Sequence, residues 1–277
     1  FDGVDKIFNS NDSGVVPKIN IKHDIDEDTM VYGTYSEGFR ASGINRVRPA
    51  QTAFIPETYK ADYLESLEFG FKSVMADGKL ILNGAYFMMD WNDFQSTTYN
   101  LDYSTVSFVD NVGNAEINGL ELDATYKASD TLTVSAYMVK NDPSLSQDYY
   151  DVSGLLQANA GNRLAYVPEL SYVLGLDKEL MIGGSPAYLS LDYSYTGDRY
   201  TSQANELTLP SYAIANMRMG REVGNRSIEL YMTNITDEDG YLSRYNDFNA
   251  IRKTQNKPRV IGLRFRYRYC LLYTSPS

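Results

Sequence analysis

Apolar residues recur at every second position over long stretches of this chain. Residues 131–138 (TLTVSAYM) show the pattern, and the same alternation is found around 120–126, 187–196 and 261–269. A period of two is the pattern of a β-strand, because successive side chains leave opposite faces of the backbone. No segment keeps the helical period of 3.6 residues over any useful length. The sequence therefore predicts an all-β chain.

The alternation predicts eleven strands, separated by short turns and long links in strict alternation. The predicted strands cover residues 16–25, 29–40, 61–75, 79–95, 105–127, 130–142, 164–180, 186–200, 210–222, 226–237 and 258–269. The predicted short turns are at residues 26–28, 76–78, 128–129, 183–185 and 223–225. The predicted long links are at about 41–60, 96–104, 143–163, 201–209 and 238–257. Most of these strands are longer than the 5 to 6 residues that are typical of globular proteins.

Long strands with one apolar and one polar face have two interpretations. A large soluble sandwich or solenoid turns the apolar face inward, whereas a membrane barrel turns it toward lipid and encloses a wet lumen. Tyrosines in the predicted strands, often near their ends, favour the barrel, because aromatic girdles lie at membrane interfaces. These are Tyr32, Tyr35, Tyr86, Tyr126, Tyr137, Tyr193, Tyr195, Tyr267 and Tyr269. Short periplasmic turns that alternate with longer extracellular loops complete the prediction of an antiparallel outer-membrane β-barrel.

Composition excludes several other functions. The chain has 277 residues, a net charge of −11, one Cys and one His. One Cys excludes a disulfide framework and a thiolate zinc cluster, and one His makes a His-based catalytic pair improbable. The acidic balance argues against a nucleic-acid partner. No signal peptide, membrane-spanning helix or initial Met is visible, so we expect a piece of a longer chain.

The sequence resembles the carboxy-terminal half of the barrel of TonB-dependent outer-membrane receptors. Two stretches are the most telling, residues 31–40 (VYGTYSEGFR) and 117–121 (INGLE). The other matching stretches, in the order of the family, are 56–59 (PETY), 67–72 (LEFGFK), 77–80 (DGKL) with Phe87 and 93–95 (DFQ), 111–113 (NVG), 161–164 (GNRL) with Pro168, 209–212 (LPSY), 234–236 (NIT) with Asp239 and Tyr241, and 258–259 (PR). Each match is weak alone, but together they span about 30 to 269 and form a specific signal.

The resemblance implies half of a 22-stranded barrel, without the amino-terminal plug and its TonB-coupling box. Family members bind a bulky nutrient at extracellular loops, usually a ferric siderophore, and the TonB energy transducer then moves the plug. Haem, cobalamin and oligosaccharides remain alternatives, and no enzymatic activity, cofactor or metal site is expected. We assign residues 1–269 to the partial barrel and interpret 270–277 (CLLYTSPS) as a non-native tail. Eleven strands with two open edges should not transport anything alone.

Charged residues are predicted to line the lumen. Residues 210–269 carry a net charge of +5, whereas the rest of the chain carries −16. Arg264, Arg266 and Arg268 share the polar face of the last strand, where they could attract an anionic ligand. The alternative, which we favour, is pairing with the plug or with a neighbouring strand, for example with Glu229. Glu121 and Asp123 share a polar face in the same way, and a glycosidase-like acid pair is a remote alternative.

The best candidates for ligand contact are aromatic and polar residues of the long loops. They are Tyr99, Tyr103, Tyr149, Tyr150, Tyr241, Arg244, Tyr245 and Phe248. Tyr and Arg supply rigid amphipathic contact and anion pairing, which suits capture from dilute solution. The alternative for each is packing between loops or anchoring at the membrane rim.

One acidic segment resembles a metal site. Asp24, Asp26 and Asp28 begin like a calcium loop, but the required Gly and bidentate Glu are absent, so an acidic turn is favoured.

Two other functions stay open as alternatives to the energised importer. A passive porin-type channel would need no plug. A soluble secreted β-sheet binding module would extract from cells without detergent.

Overall fold

The chain forms one large antiparallel sheet with small hairpins at one end. The structure, a computed structural model, describes residues 12–48, 51–98, 107–247 and 250–269. Its strands are β1 (Lys18–Asp24), β2 (Thr29–Arg40), β3 (Gly43–Ile44), β4 (Thr58–Tyr59), β5 (Asp62–Met75), β6 (Leu80–Asn92), β7 (Gln95–Thr98), β8 (Phe108–Asn111), β9 (Ala115–Ser129), β10 (Leu132–Leu145), β11 (Tyr149–Tyr150), β12 (Leu156–Ala158), β13 (Leu170–Ile182), β14 (Ser185–Thr196), β15 (Arg199–Tyr200), β16 (Thr208–Leu209), β17 (Tyr212–Val223), β18 (Arg226–Thr233), β19 (Tyr241–Asp247), β20 (Ala250–Gln255) and β21 (Val260–Tyr267).

Eleven of these strands pair in sequence order to form the sheet, which confirms the predicted fold class. The order is β1-β2-β5-β6-β9-β10-β13-β14-β17-β18-β21, and every neighbouring pair is antiparallel. Among the described residues, no helix is long and apolar enough to cross a membrane.

The strand boundaries differ from the prediction where backbone geometry breaks a strand. The predicted strand 105–127 is divided into β8 and β9, because the chain turns at Gly113, which has a φ of 97°. The strand predicted from residue 164 begins only at Leu170. Tyr166 stands before it with a φ of 63°, a conformation that interrupts an extended chain.

The five long connections extend beyond the predicted long links, since β8 and β15 lie within the predicted strands 105–127 and 186–200. Each long connection contains a two-stranded hairpin, formed by β3–β4, β7–β8, β11–β12, β15–β16 and β19–β20. All five lie at the same end of the large sheet, which we call the hairpin end, and the short turns lie at the opposite turn end. This confirms the predicted alternation of short and long connections.

The large sheet has one polar face and one apolar face. On the polar face, Tyr188, Gly220, Glu229 and Arg264 stand directly opposite one another on four successive strands. On the apolar face, the corresponding row is Leu191, Met217, Met232 and Ile261. Leu263 and Phe265 continue this face, and more than half of each side chain is exposed. Large apolar side chains that are exposed in this way form the kind of surface that lipid covers in a membrane barrel.

Aromatic side chains of the large sheet repeatedly lie over a glycine of the next strand. A Cβ added at Gly119 would lie 2.2 Å from the ring of Phe87, its direct cross-strand partner. Six directly opposed pairs of this kind occur in the described part of the large sheet: Tyr32–Gly70, Phe69–Gly33, Phe71–Gly84, Phe87–Gly119, Tyr188–Gly220 and Tyr231–Gly262. The ring covers the backbone that glycine leaves bare, and this fixes the register of neighbouring strands.

Four carboxylates form a row near the hairpin end, on the same face as Leu67 and Phe69. Glu37 stands opposite Glu65, Glu65 opposite Asp90, and Asp90 opposite Glu116. Like charges directly opposite one another destabilise a sheet. The row is therefore a local cost that the rest of the fold offsets.

The main cluster of buried apolar residues in the described part of the chain lies at the hairpin end of the large sheet. Val112, Leu145, Tyr149, Ala158 and Leu164 are buried together. They come from two neighbouring connections, the one between β6 and β9 and the one between β10 and β13, so these two connections pack on one another. This places a rigid layer over the ends of the long strands.

Candidate functional site

The hairpin end carries the candidate site, and a buried carboxylate organises its first part. Asp62 is 1% exposed and accepts hydrogen bonds from the guanidinium of Arg40, from Nε1 of Trp91 at 3.0 Å and from the backbone N–H of Gln95 at 2.9 Å. The Arg40 guanidinium also lies 4.9 Å from the centre of the Trp91 ring. Gln95 in turn donates to the carbonyl of Lys60. These contacts fasten β7 to the ends of β2, β5 and β6.

Three asparagines join neighbouring connections, and each binds both the backbone N–H and the backbone carbonyl of one residue in the next connection. The side-chain amide of Asn45 accepts from the N–H of Val109 at 2.9 Å and donates to its carbonyl at 2.7 Å. Asn111 binds both backbone groups of Lys60 in the same way, at 2.7 and 3.1 Å.

The third of these asparagines lies farther along the chain. Asn205 binds both backbone groups of Arg163 at 2.8 Å, from a left-handed conformation with a φ of 58° that Asn tolerates better than most residues. We call these three contacts the asparagine clamps. Each imitates one step of a β-ladder between loops that otherwise do not pair.

The β11–β12 hairpin is held by a buried phenol and carboxylate. Tyr149 is 6% exposed, and its hydroxyl donates to Asp110 of β8 at 2.7 Å. Burial, reinforced by the Asp110 carboxylate, raises the pKa of Tyr149. Burial also raises the pKa of Asp110, although Tyr149 and the N–H of Asn111 donate to it. Tyr149 therefore anchors the hairpin, whereas its neighbour Tyr150 is 54% exposed at the surface.

The tip of this hairpin is organised around Asp151. Its carboxylate accepts from the backbone N–H groups of Ser153 at 2.9 Å and Leu155 at 3.0 Å, and from the Gln157 side chain at 2.9 Å. Burial works to raise the pKa of Asp151, but these hydrogen bonds and that of the Ser153 hydroxyl outweigh it and hold the pKa below its ordinary value. The fixed tip presents the exposed apolar side chains of Val152 and Leu155.

The β19–β20 hairpin separates Tyr241 and Arg244 from Tyr245, the three candidates of the last long link that the structure describes. Arg244 stands opposite Lys253, and Tyr245 stands opposite Arg252, so these two pairs occupy opposite faces of the hairpin. A bulge between Tyr241 and Ser243 shifts the register, because Tyr241 pairs with Gln255 while Ser243 pairs with Thr254. It puts Tyr241 on the face of Arg244 and Lys253.

The charged residues predicted to line a lumen lie on the polar face of the large sheet. Nη1 of Arg264 binds Oε1 of Glu229 at 2.6 Å, which agrees with the favoured pairing interpretation. Arg268 approaches Glu222 at 3.7 Å. Asp123 accepts from Asn83 at 3.0 Å.

The remaining members of this set follow from the register. Glu121 lies two residues before Asp123, and Arg266 stands opposite Ser227, so both share the polar face with the charges already described. Tyr99, Tyr103, Phe248 and the tail 270–277 lie outside the described residues.

Sequence reasoning missed several residues that build the site. Asn45, Asn205, Asp62 and Lys253 carried no recognisable motif, since their roles depend on contacts between links far apart in the chain. Asn111 lies in the matched stretch 111–113, but the stretch does not reveal its contact with Lys60. The bulge beside Tyr241 could not be predicted from the sequence either, because one extra residue changes the alternation of apolar and polar residues too little to be recognised.

Comparison with known proteins decides the family. The family described as TonB dependent receptor-like, beta-barrel matches residues 1–235. The chain belongs to the TonB-dependent receptor β-barrel family. Members of this family are outer-membrane proteins, and the chain is a segment of an outer-membrane β-barrel.

Similar proteins are receptors of Gram-negative bacteria. The pesticin receptor of Yersinia pestis is 22% identical over 260 residues, which cover 93% of this chain and 36% of that protein. The ferric yersiniabactin uptake receptor FyuA from Yersinia pestis has a TM-score of 0.78 and 20% identity, covering 94% of this chain and 38% of that one. The siderophore receptor PiuA from Acinetobacter baumannii has a TM-score of 0.72 and 17% identity, covering 92% and 36%.

This TonB-dependent receptor chain spans about a third of the length of the curated relatives it matches, 36% for the pesticin receptor. Its eleven strands are half of the 22 that outer-membrane transporters of this type have. The solved structures share its fold at low identity, so they support the architecture and not a particular ligand.

Proposed function

We propose that this chain is the ligand-capturing barrel segment of a TonB-dependent receptor that imports a bulky nutrient, with a ferric siderophore as the first candidate. The hairpin end corresponds to the extracellular loops, and the polar face of the large sheet to the lumen wall. A plug outside this chain then moves when the TonB transducer in the periplasm pulls on it. The process requires no covalent chemistry.

The observation that carries the proposal is the interlocked layer of hairpins at one end of the sheet. It ties together links that carry candidate side chains. The proposed ligand contacts are Tyr150, Tyr241, Arg244 and Tyr245, together with Tyr99, Tyr103 and Phe248. Tyr149 is buried against Asp110, so we propose that it holds the hairpin in place and does not touch the ligand. The proposed lumen charges are Glu121, Asp123, Glu229, Arg264, Arg266 and Arg268. The names of the similar proteins favour ferric siderophores over other nutrients.

Uptake of radioactive iron tests this function directly. The full-length protein that carries this sequence is expressed in a Gram-negative host without its own siderophore receptors. Ferric siderophores with catecholate, hydroxamate and carboxylate groups are then offered with and without TonB. We expect saturable uptake of one class that requires TonB. Uptake that persists without TonB would instead support a passive channel.

A pair of variants locates the capture surface. Tyr150→Ala removes an exposed ring at the hairpin end, and we expect about tenfold weaker apparent affinity for the imported chelate. Tyr126→Ala removes a similarly exposed ring near the turn end and serves as the control. Equal effects of the two variants would contradict capture at the hairpins. If no ferric siderophore is taken up, the same uptake assay is repeated with haem, cobalamin and oligosaccharides.

A further inference from the structure

A β-bulge at the start of the β19–β20 hairpin gathers an aromatic ring and two cations on one face. Tyr241 and Arg244 are three residues apart, so in a regular strand they would point to opposite sides. The extra residue at Leu242 shifts this alternation by one position. Bulges often re-aim a side chain beside a functional site. Here the bulge turns Tyr241 toward Arg244 and Lys253.

The two cations on this face are arranged at a cost. Arg244 and Lys253 stand directly opposite each other, and like charges in that position destabilise a hairpin. The ammonium of Lys253 lies 4.6 Å from the centre of the Tyr241 ring, which offsets part of this cost. Nε of Arg244 is shielded from solvent and has no hydrogen-bond partner within the described part of the chain.

A third cation lies beneath the same tyrosine. Arg199 of β15 is only 6% exposed, and its Nη2 donates to the carbonyl of Tyr241 at 2.8 Å. Its guanidinium lies 5.5 Å from the centre of the Tyr212 ring, which is itself packed on Gly240. Among the described residues, no carboxylate forms an ion pair with Arg199, Arg244 or Lys253. A buried guanidinium without a counter-ion is costly. Arg199 on the carbonyl of Tyr241, with Arg244 and Lys253 on the face of its side chain, therefore favours an anion from outside the chain.

We propose that Tyr241, Arg244 and Lys253, supported by Arg199, form a binding site for an oxygen anion, either a carboxylate or a phosphate group. As a capture site it rests on the proposed import function and names the chemical class of the ligand. The same chemistry is offered by a soluble chelate with carboxylates and by a phosphorylated lipid headgroup. Arg244 supplies planar paired donors, and Lys253 supplies a point charge over the face of the Tyr241 ring.

Titration with two simple anions tests the site in the full-length protein. Citrate and inorganic phosphate are titrated by calorimetry in a neutral detergent at low salt. The double variant Arg244→Gln with Lys253→Gln should bind the anions at least about tenfold more weakly. Arg252→Gln removes a cation from the opposite face of the same hairpin and should leave binding within about twofold. Lys253→Arg keeps the charge and should retain binding. All variants are first shown to be folded by the different gel mobilities of heated and unheated samples.

Native mass spectrometry of protein extracted from membranes tests separately whether the anion is a lipid headgroup, because it measures the phosphorylated lipid that the protein retains. Loss of retained phosphorylated lipid in the double variant, with no change in Arg252→Gln, would assign the site to a headgroup. Weaker citrate or phosphate binding with unchanged lipid would assign it to a soluble anion. No effect in either assay, or equal effects of Arg252→Gln, would overturn the inference.

The anion titration does not depend on transport, so the two proposals can fail separately. Iron uptake that remains normal while the anion assays show no site overturns this inference alone. Anion binding that remains specific while no nutrient is imported overturns the proposed function alone.

Discussion

The hydroxyl of Tyr188 on β14 donates a hydrogen bond to the carboxylate of Glu229 on β18, across the full width of β17. The ring can reach this far because Gly220 of β17 leaves the polar face bare beneath it. Glu229 also binds Arg264 of β21, so one carboxylate connects four successive strands.

Removing this hydroxyl should weaken the last part of the sheet. Tyr188→Phe leaves the ring over Gly220 but removes the donor to a charged acceptor, and we expect a loss of about 1–2 kcal/mol in the free energy of unfolding. Denaturant unfolding of the full-length protein in detergent measures it. Tyr86→Phe removes a hydroxyl that makes no hydrogen bond among the described residues, and it should change stability by less than about 0.5 kcal/mol. Equal losses would show that the contact does not join the strands.

A methyl group at Gly119 should disrupt the pairing of β6 with β9. The added Cβ would lie 2.2 Å from the Phe87 ring, which is buried and cannot move aside freely. We expect Gly119→Ala to cost about 1–3 kcal/mol in thermal or denaturant unfolding. Gly38→Ala is the matched control on β2, because nothing lies within 4 Å of its Cβ position. If Gly38→Ala were the more harmful of the two, the ring–glycine contacts would not be what fixes the register.

Neutralising Asp62 should loosen β7 without unfolding the barrel. Asp62→Asn replaces an acceptor-only group by an amide whose NH2 faces the donors of Arg40 and Trp91. Since the Arg40 side chain is 49% exposed, we expect a loss of about 2 kcal/mol, less than for a fully buried pair. Hydrogen exchange of residues 93–98 should rise strongly. Glu169→Gln, which touches Arg163 from an exposed position, should leave exchange unchanged.

Removing one charge from the row of four carboxylates should stabilise the protein. Glu65 stands between Glu37 and Asp90, so Glu65→Gln relieves two repulsive neighbours at once. We expect a gain of up to about 1 kcal/mol at low ionic strength, which shrinks as salt screens the charges. Melting curves at two salt concentrations measure this, with the exposed Glu206→Gln as the control. A gain that does not depend on salt would rule out repulsion as its cause.

Acid should open the tip of the β11–β12 hairpin. The pKa of Asp151 is lowered in the folded protein. Its carboxylate therefore stabilises the tip fully at pH values above its ordinary pKa of 3.8, and this contribution is lost as the pH falls through the folded pKa. Amide exchange at Ser153 and Leu155, normalised for intrinsic rates, should therefore rise below about pH 4. In Asp151→Asn the exchange should be faster at neutral pH and nearly independent of pH in this range. A pH response that survives in the variant would point to another group.

The sequence predicted the sheet well because a strand with two different faces repeats its signature many times. The eleven strands, their order and the alternation of short and long connections all follow from this local pattern and from turn residues. The boundaries failed at Gly113 and Tyr166, where a single backbone conformation breaks a strand without changing the hydrophobic pattern. Four of the five hairpins have strands of only two to four residues, which are too short to have a readable period.

The candidate site was less predictable, because its residues are brought together by contacts of long range. Tyr149 and Tyr150 are adjacent in the sequence and look equivalent, yet one is buried against Asp110 and the other is exposed. Arg264 was correctly expected to pair with Glu229, since adjacent strands and their register could be inferred. The grouping of Tyr241, Arg244 and Lys253 depends on one bulged residue, which the pattern does not reveal.

The asparagine clamps have a consequence for how such a receptor diversifies. Asn45, Asn111 and Asn205 grip Val109, Lys60 and Arg163 through one backbone N–H and one carbonyl each, a pair that every residue except proline provides. The side chains of the gripped residues take no part in the clamps, so Val109 and Lys60 can be replaced by other residues while the loops stay fastened together. The frame of the hairpin end therefore tolerates sequence change at positions that it holds in place.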